Sequence, residues 1–206
     1  MPGLWVGRIE DAGDKAALGE HNIQLVVSCH DEEQERPRRG TADGHEIAVE
    51  WLQLTCGDSA STDILCHFDQ VAAKIAEFLP ATEDDPPAPP RGGVLVHCLA
   101  GQSRSVSLAT AYLLAFRGNS LRELLQYDPA TGCGAGLIQR QRPGAFPNRG
   151  FWRQLKAYEE NLPAWRVLAS GDRVGSYRED ELPGSVDFDR AALDAIVQRF
   201  QRRRAR

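Results

Sequence analysis

No run of this chain reaches the about eighteen consecutive apolar residues that a membrane-spanning helix requires. The residues from Met1 to Asp11 lack the basic, apolar and small-residue succession of a signal peptide. No membrane partner is therefore expected. An excess of positive charge is missing too: 24 Lys and Arg stand against 29 Asp and Glu, a formal net charge of −5. That balance gives no support for nucleic-acid binding, a local basic patch aside. Cysteine is scarce and odd in number, with five residues at 29, 56, 66, 98 and 133 and no scaffold-like spacing. The pattern argues against a secreted disulfide framework and for a reducing compartment, the cytoplasm or the nucleus. These cysteines and the five histidines also lack the clustering that a zinc site needs.

What is present is an ordinary globular composition, 42% hydrophobic and 26% charged, over 206 residues. That length suffices for one domain with a good core and an appendage. Leu4-Trp5-Val6 reads as a strand ended by Gly7, and Asp14 to His21 as a helix capped by Asp11 or Asp14. Gln24 to Ser28 reads as a second strand, Asp31 to Gly44 as a charged surface loop, and Ile47 to Leu54 as a third strand. Asp63 to Leu79 repeats apolar residues at three and four, the mark of an amphipathic helix. Ala81 to Gly92, acidic and then proline-rich, cannot bury a core and is expected to be an exposed linker. Further helices are expected over Val106 to Phe116, Ser120 to Tyr127 and Asn148 to Leu162, with a glycine-rich loop over Asp128 to Gly136. Past a polar stretch from Arg166 to Pro183, Phe188 to Phe200 carry a helical stripe, capped by Ser185 or Asp187 and ending in a solvated basic run, Arg202 to Arg206. Strands separated by helices imply an α/β fold with a central covered sheet.

The stretch from Val94 to Ser105 organises the rest. Alternating apolar residues make Val94 to Val96 a buried strand, and the nearly all-apolar run from Val106 is a helix. Between them lies a tight turn with Cys98, Gly101, Arg104 and several hydroxyls. A strand breaking into such a turn ahead of a helix converges N–H groups on one point, and the helix dipole adds positive potential there. A cysteine at that point is expected to ionise readily, and Arg104 offers a planar fork for two phosphate oxygens. The expectation is a phosphate cradle with a nucleophile at its floor.

His97-Cys98, five residues and then Arg104-Ser105 resemble the signature of the cysteine-dependent protein tyrosine phosphatase superfamily, and HCLAGQSRS is similar to its dual-specificity version. The resemblance continues in order over roughly residues 4 to 162: Leu4 to Gly7, Asn22 to Val27, Asp58-Ser59 with Asp63-Ile64, and Phe146 to Phe151 with Gln154-Leu155. It implies a protein tyrosine phosphatase-like α/β fold, a central mixed and mostly parallel sheet flanked by helices. It implies a catalytic domain over residues 1–162, interrupted by an insertion at 81–92, with an extension over 163–206.

It also implies the chemistry. Cys98 attacks phosphorus; the loop of Leu99, Ala100, Gly101, Gln102 and Ser103 binds the phosphoryl oxygens with Arg104; Asp58 protonates the leaving group; Ser105 assists release of the thiolate. His97 would orient the loop and favour the thiolate, and Asn148 would brace the loop from behind. No metal or cofactor is implied, and the partner is a phosphoprotein substrate. Asp63 and Asp69 are the fallback acids, and Cys56 is within sequence reach of a protective disulfide with Cys98. Phosphoinositide or RNA 5′-triphosphate hydrolysis on the same fold, or a phosphate-binding pseudophosphatase scaffold, are the competing functions.

Overall fold

The most apolar stretches of the chain form its sheet. A computed structural model of the protein describes residues 3–32, 41–42, 45–46, 49–79, 92–128, 133–162 and 190–204. Strands β1 (Leu4–Gly7), β2 (Ile23–His30), β5 (Glu50–Thr55) and β6 (Gly93–His97) pair in the order β1-β6-β2-β5, every pair parallel. The main sheet is thus wholly parallel among the described residues, flanked by helices as expected of a mostly parallel sheet. A parallel sheet is covered on both faces, which is why its central strands read as unbroken apolar runs.

Alternate side chains sort to opposite faces. Leu25, Val27, Val94 and Val96 join the larger core with Phe68, Tyr112 and Trp152, while Ile23, Val26 and Leu95 join a smaller one with Ala12 and Leu18. Helices α1 (Ile9–Gly13) and α2 (Lys15–Glu20) cover the smaller core. Helices α3 (Phe68–Ala76), α4 (Arg104–Phe116) and α7 (Arg149–Glu160) cover the larger one, with α4 buried along almost its whole length.

Register places function at one end of the sheet. Ser28 lies opposite His97 and His30 opposite Thr55, so β2, β5 and β6 all end at the same edge. The segments that follow, at Asp31, Cys56 to Ser61 and Cys98 to Ser103, therefore converge there. Ligand sites of open α/β sheets lie at such carboxyl ends.

Several expected elements differ in detail. The helix expected over Asp14 to His21 is α2, whose cap is Asp14, accepting from Ala17 N at 3.1 Å; the extended conformation of Asp14 separates it from α1, which was not foreseen. Before α3 comes a single 3-10 turn, Leu65–His67, with the Asp63 carboxylate accepting from Cys66 N at 3.1 Å. The helix expected over Ser120 to Tyr127 is only α5, Leu121–Leu124, capped by Ser120. It stops because Leu125 turns extended and the Gln126 N–H is taken by Gln139 Oε1 at 2.7 Å. Two antiparallel pairs, β3 (Thr41–Ala42) with β4 (His45–Glu46) and β7 (Tyr127–Asp128) with β8 (Cys133–Gly134), lie where loops were expected. Helix α6 (Leu137–Gln141) was not foreseen. Strand β5 begins at Glu50; Ile47, nearly all of the 81–92 linker, residues 129–132 and residues 163–189 lie outside the described residues.

The last helix, α8 (Arg190–Arg204), packs on the domain through its apolar stripe. Leu193 and Ile196 are buried, and the Phe200 ring sits 5.9 Å from that of Tyr158. Part of its basic face is paired: Arg199 with Asp63 at 3.3 Å, and Arg204 with Asp69 and over the Tyr158 ring. Its expected caps, Ser185 and Asp187, lie outside the described residues.

Candidate active site

Strand β6 ends at His97, and the chain bends through Cys98 to Ser103 before α4 begins at Arg104. Gly101 permits the bend, with φ at +65°. A Cβ there would lie 2.6 Å from the Gly7 carbonyl oxygen, so the loop can press on β1 only as glycine. From the other side Arg142 braces the turn, its Nε donating to Gly101 O at 2.6 Å and its Nη2 to Ala100 O at 3.1 Å. The loop's polar groups are thereby aimed inward at the N-terminus of a thirteen-residue helix, a favourable place for an anion.

At the floor lies Cys98, 1% exposed, with its Sγ 3.2 Å from Ser105 Oγ. A hydroxyl at that distance can donate to a thiolate. Arg104 is buried beside it; its Nη1 donates to Asp31 Oδ1 at 2.6 Å and to Cys56 O at 3.1 Å. Leu99 and Gln102 are exposed on the rim, Leu99 at 58%.

Asp58 hangs over the same cleft from the loop after β5. Its Oδ1 accepts from Ser103 Oγ at 2.6 Å and Asn148 Nδ2 at 2.8 Å, and its Oδ2 lies 3.7 Å from Arg104 Nε. The two fallback aspartates are elsewhere, Asp63 against Arg199 and Asp69 against Arg204 and Tyr158. Asn148 does more than brace the loop from behind. It caps α7 by accepting from Phe151 N at 3.0 Å, its own N–H donates to Ser103 Oγ at 3.1 Å, and its amide holds Asp58. The acid-bearing segment is tied to α7 again by Gln154, which accepts from Leu65 N at 2.9 Å and donates to Thr62 O at 2.8 Å. Gly150 completes that seam, because any Cβ there would overlap the Ala60 carbonyl.

His97 lies under the loop with its Nδ1 3.4 Å from His30 Nε2. Burial, and secondarily His30, push its pKa down to about 4. It is therefore neutral near pH 7 and supports the loop as a buried polar wall. The sign of the linkage follows. His97 titrates near 6.5 when unperturbed and near 4 in the fold, so the unfolded chain binds the extra proton between those values. Stability contributed by the neutral ring is fully present above the higher value and is lost as pH falls toward the lower one. Urea unfolding should show His97→Asn protein losing about 2 kcal/mol less than wild type between about pH 7 and about pH 4.5.

The Cys56 thiol donates to Gly57 O at 3.6 Å, and Cys29, Cys56, Cys66 and Cys98 are free thiols. The neighbouring Cys56 and then burial push the Cys29 thiol strongly up, while Cys29 pulls that of Cys56 down.

Sequence reasoning gave no role to Asp31, Arg142 or Gln139, and none to Gln154 beyond its part in the resemblance. Asp31 follows a buried strand and was absorbed into a charged loop, although its place at the end of β2 was a usable signal. Gln154 occupies a core-facing position of α7 at 0% exposure, a polar residue where the helical period calls for an apolar one. Nothing in the residues around Arg142 marked it.

The comparisons with known proteins agree with this geometry. The family model described as the dual specificity phosphatase catalytic domain matches residues 4–161. Human dual specificity phosphatase 28 is 32% identical over 168 residues, 81% of this chain and 80% of its own. Its crystal structure superposes with a TM-score of 0.59 at 31% identity, covering 78% of this chain and 93% of that one. A mouse putative dual specificity phosphatase, solved complexed with zinc tungstate, gives 0.60 at 33% identity over 81% of this chain and 88% of that one. With the matched model spanning the same strands, acid loop and closing helix that build the cleft, this chain belongs to the dual specificity phosphatase family.

Proposed function

We propose that this chain hydrolyses phosphotyrosine and phosphoserine or phosphothreonine in proteins through a cysteinyl-phosphate intermediate. The observation that supports this most is the convergence of Cys98, Arg104 and Asp58 on one cleft from three separate segments. In the first step the Cys98 thiolate forms an S–P bond as the P–O bond to the substrate breaks, and Asp58 gives its proton to the departing oxygen. The loop amides and Arg104 hold the three equatorial oxygens while their charge spreads. In the second step Asp58, now ionised, takes a proton from water as its oxygen attacks phosphorus. The S–P bond breaks, phosphate leaves, and Ser105 donates to the departing thiolate.

Two features favour protein substrates over phosphoinositides or RNA 5′-triphosphate ends. The rim of the loop carries neutral Leu99 and Gln102, and the carboxylates of Asp31 and Asp58 face the entrance with 68% and 34% of their side chains exposed. Further phosphates would meet those charges, whereas an apolar Leu99 suits an aryl ring. Intact Cys98, Arg104 and Ser105 speak against a scaffold without turnover. The solved mouse relative was complexed with tungstate, a tetrahedral oxyanion of phosphate's shape. A reducing compartment, the cytoplasm or nucleus, suits a nucleophile that must remain a thiol.

Rates measured side by side test the reading. Phosphotyrosine and phosphothreonine peptides should be turned over at least about tenfold faster, in kcat/KM, than a phosphoinositide or triphosphate-ended RNA. Faster release from either of the last two would reassign the substrate class, and binding of phosphopeptide without phosphate release would return the scaffold.

A further inference from the structure

Arg104 must present one particular edge of its guanidinium to the phosphoryl group. Its Nη1 is already committed, to Asp31 at 2.6 Å and to the Cys56 carbonyl at 3.1 Å. Its Nε is buried without a hydrogen-bond partner among the described residues and lies 3.7 Å from Asp58 Oδ2, inside the cleft. The fork is therefore held at one corner, leaving the Nε–Nη2 side for a two-pronged contact with an oxyanion. Asp31 stands at the end of β2, beside the mouth, with 68% of its side chain exposed against 5% for Arg104. A buried cation that loses its shortest carboxylate contact is free to rotate toward other acceptors, Asp58 among them.

We infer that Asp31 is a positioning residue, which sets the plane of the Arg104 guanidinium so that its Nε–Nη2 side meets the phosphoryl oxygens. The inference rests on the phosphatase reading of the cleft. It also runs against simple electrostatics, and this makes it testable by sign. Asp31 is an anion next to an anion site, so if it acted only through charge, its removal would tighten oxyanion binding. If it orients the fork, removal weakens binding, because a guanidinium that must first be ordered binds less well.

The measurement is calorimetric titration of tungstate, and separately of inorganic phosphate, into full-length Cys98→Ser protein that also carries Asp31, Asp31→Ala or Asp31→Asn. Asp31→Ala should weaken both anions at least about tenfold, whereas Asp31→Asn, which keeps an acceptor oxygen on Nη1, should stay within about threefold. Unfolding of a variant would show as reduced stoichiometry, not as a changed affinity, so the two are separable. With Cys98 restored, the Asp31→Ala change should raise KM for an aryl phosphate by a similar factor. Anion binding to Asp31→Ala protein that equals or exceeds that of Asp31 protein overturns the inference, as does a loss in Asp31→Asn as large as in Asp31→Ala. If wild-type protein shows no turnover while the predicted order of affinities holds, the phosphatase reading fails and the role of Asp31 stands.

Discussion

Cys98→Ser protein should release essentially no phosphate from an aryl phosphate, a loss on the order of 10⁵-fold in kcat. The serine hydroxyl would occupy the same place beneath the loop, within reach of Ser105. It does not ionise near neutral pH, and the cleft holds no group arranged as its general base: His97 is tied to His30 below the loop, and Asp58 accepts from Ser103 and Asn148. The loop and Arg104 do not depend on the sulfur, so oxyanion affinity should survive while turnover vanishes. A change of that size corresponds to about 7 kcal/mol of barrier, which no rearrangement of binding contacts supplies. A stopped assay at high enzyme concentration measures it, and activity within tenfold of wild type would remove Cys98 from the reaction.

Asp58→Ala should lower kcat by on the order of 10²–10³-fold, with the deficit set by the leaving group. A nitrophenolate leaves with little help, so its loss should be the smaller. A serine alkoxide needs its proton early, so phosphoserine peptide should show the larger deficit. Equal losses for both leaving groups would assign the proton to another group. Asp63 and Asp69 are poor replacements, since each faces an arginine of α8.

The parts of this site that could be read in the residues are those carried by contiguous pattern. A strand, a tight turn and a buried helix in one stretch place Cys98, Arg104 and Ser105 relative to one another whatever the rest of the chain does. Asp58 and Asn148 were legible through resemblance in the order of elements, and the structure brings both to the turn from 45 residues away on either side, through Ser103. Asp31 and Arg142 were not legible because their roles arise from register and packing. Asp31 meets Arg104 only because β2 runs on two residues past the end of β6, and Arg142 reaches Gly101 only because a five-residue helix aims it there. The short pairs β3–β4 and β7–β8 have two residues per strand, too few for any alternation to show. In α5 the spacing of Leu121, Leu124 and Leu125 argued for a longer helix, and tertiary hydrogen bonding to Gln139 cut it short.

The seam between the acid-bearing segment and α7 has a consequence for timing. Ala60 lies against Gly150 with no room for a methyl group between them, and the Gln154 amide ties both Thr62 and Leu65 to the same helix. With Asn148 holding the carboxylate itself, the segment is fastened at its tip and along its length to a helix that belongs to the core. A flap that swings shut over each substrate would have to break four such attachments at every cycle. Asp58 is instead part of the wall. With Asp58 as the proton donor proposed above, substrate should meet a cleft already assembled, and the proposed reaction should need no closure step before the chemistry at phosphorus.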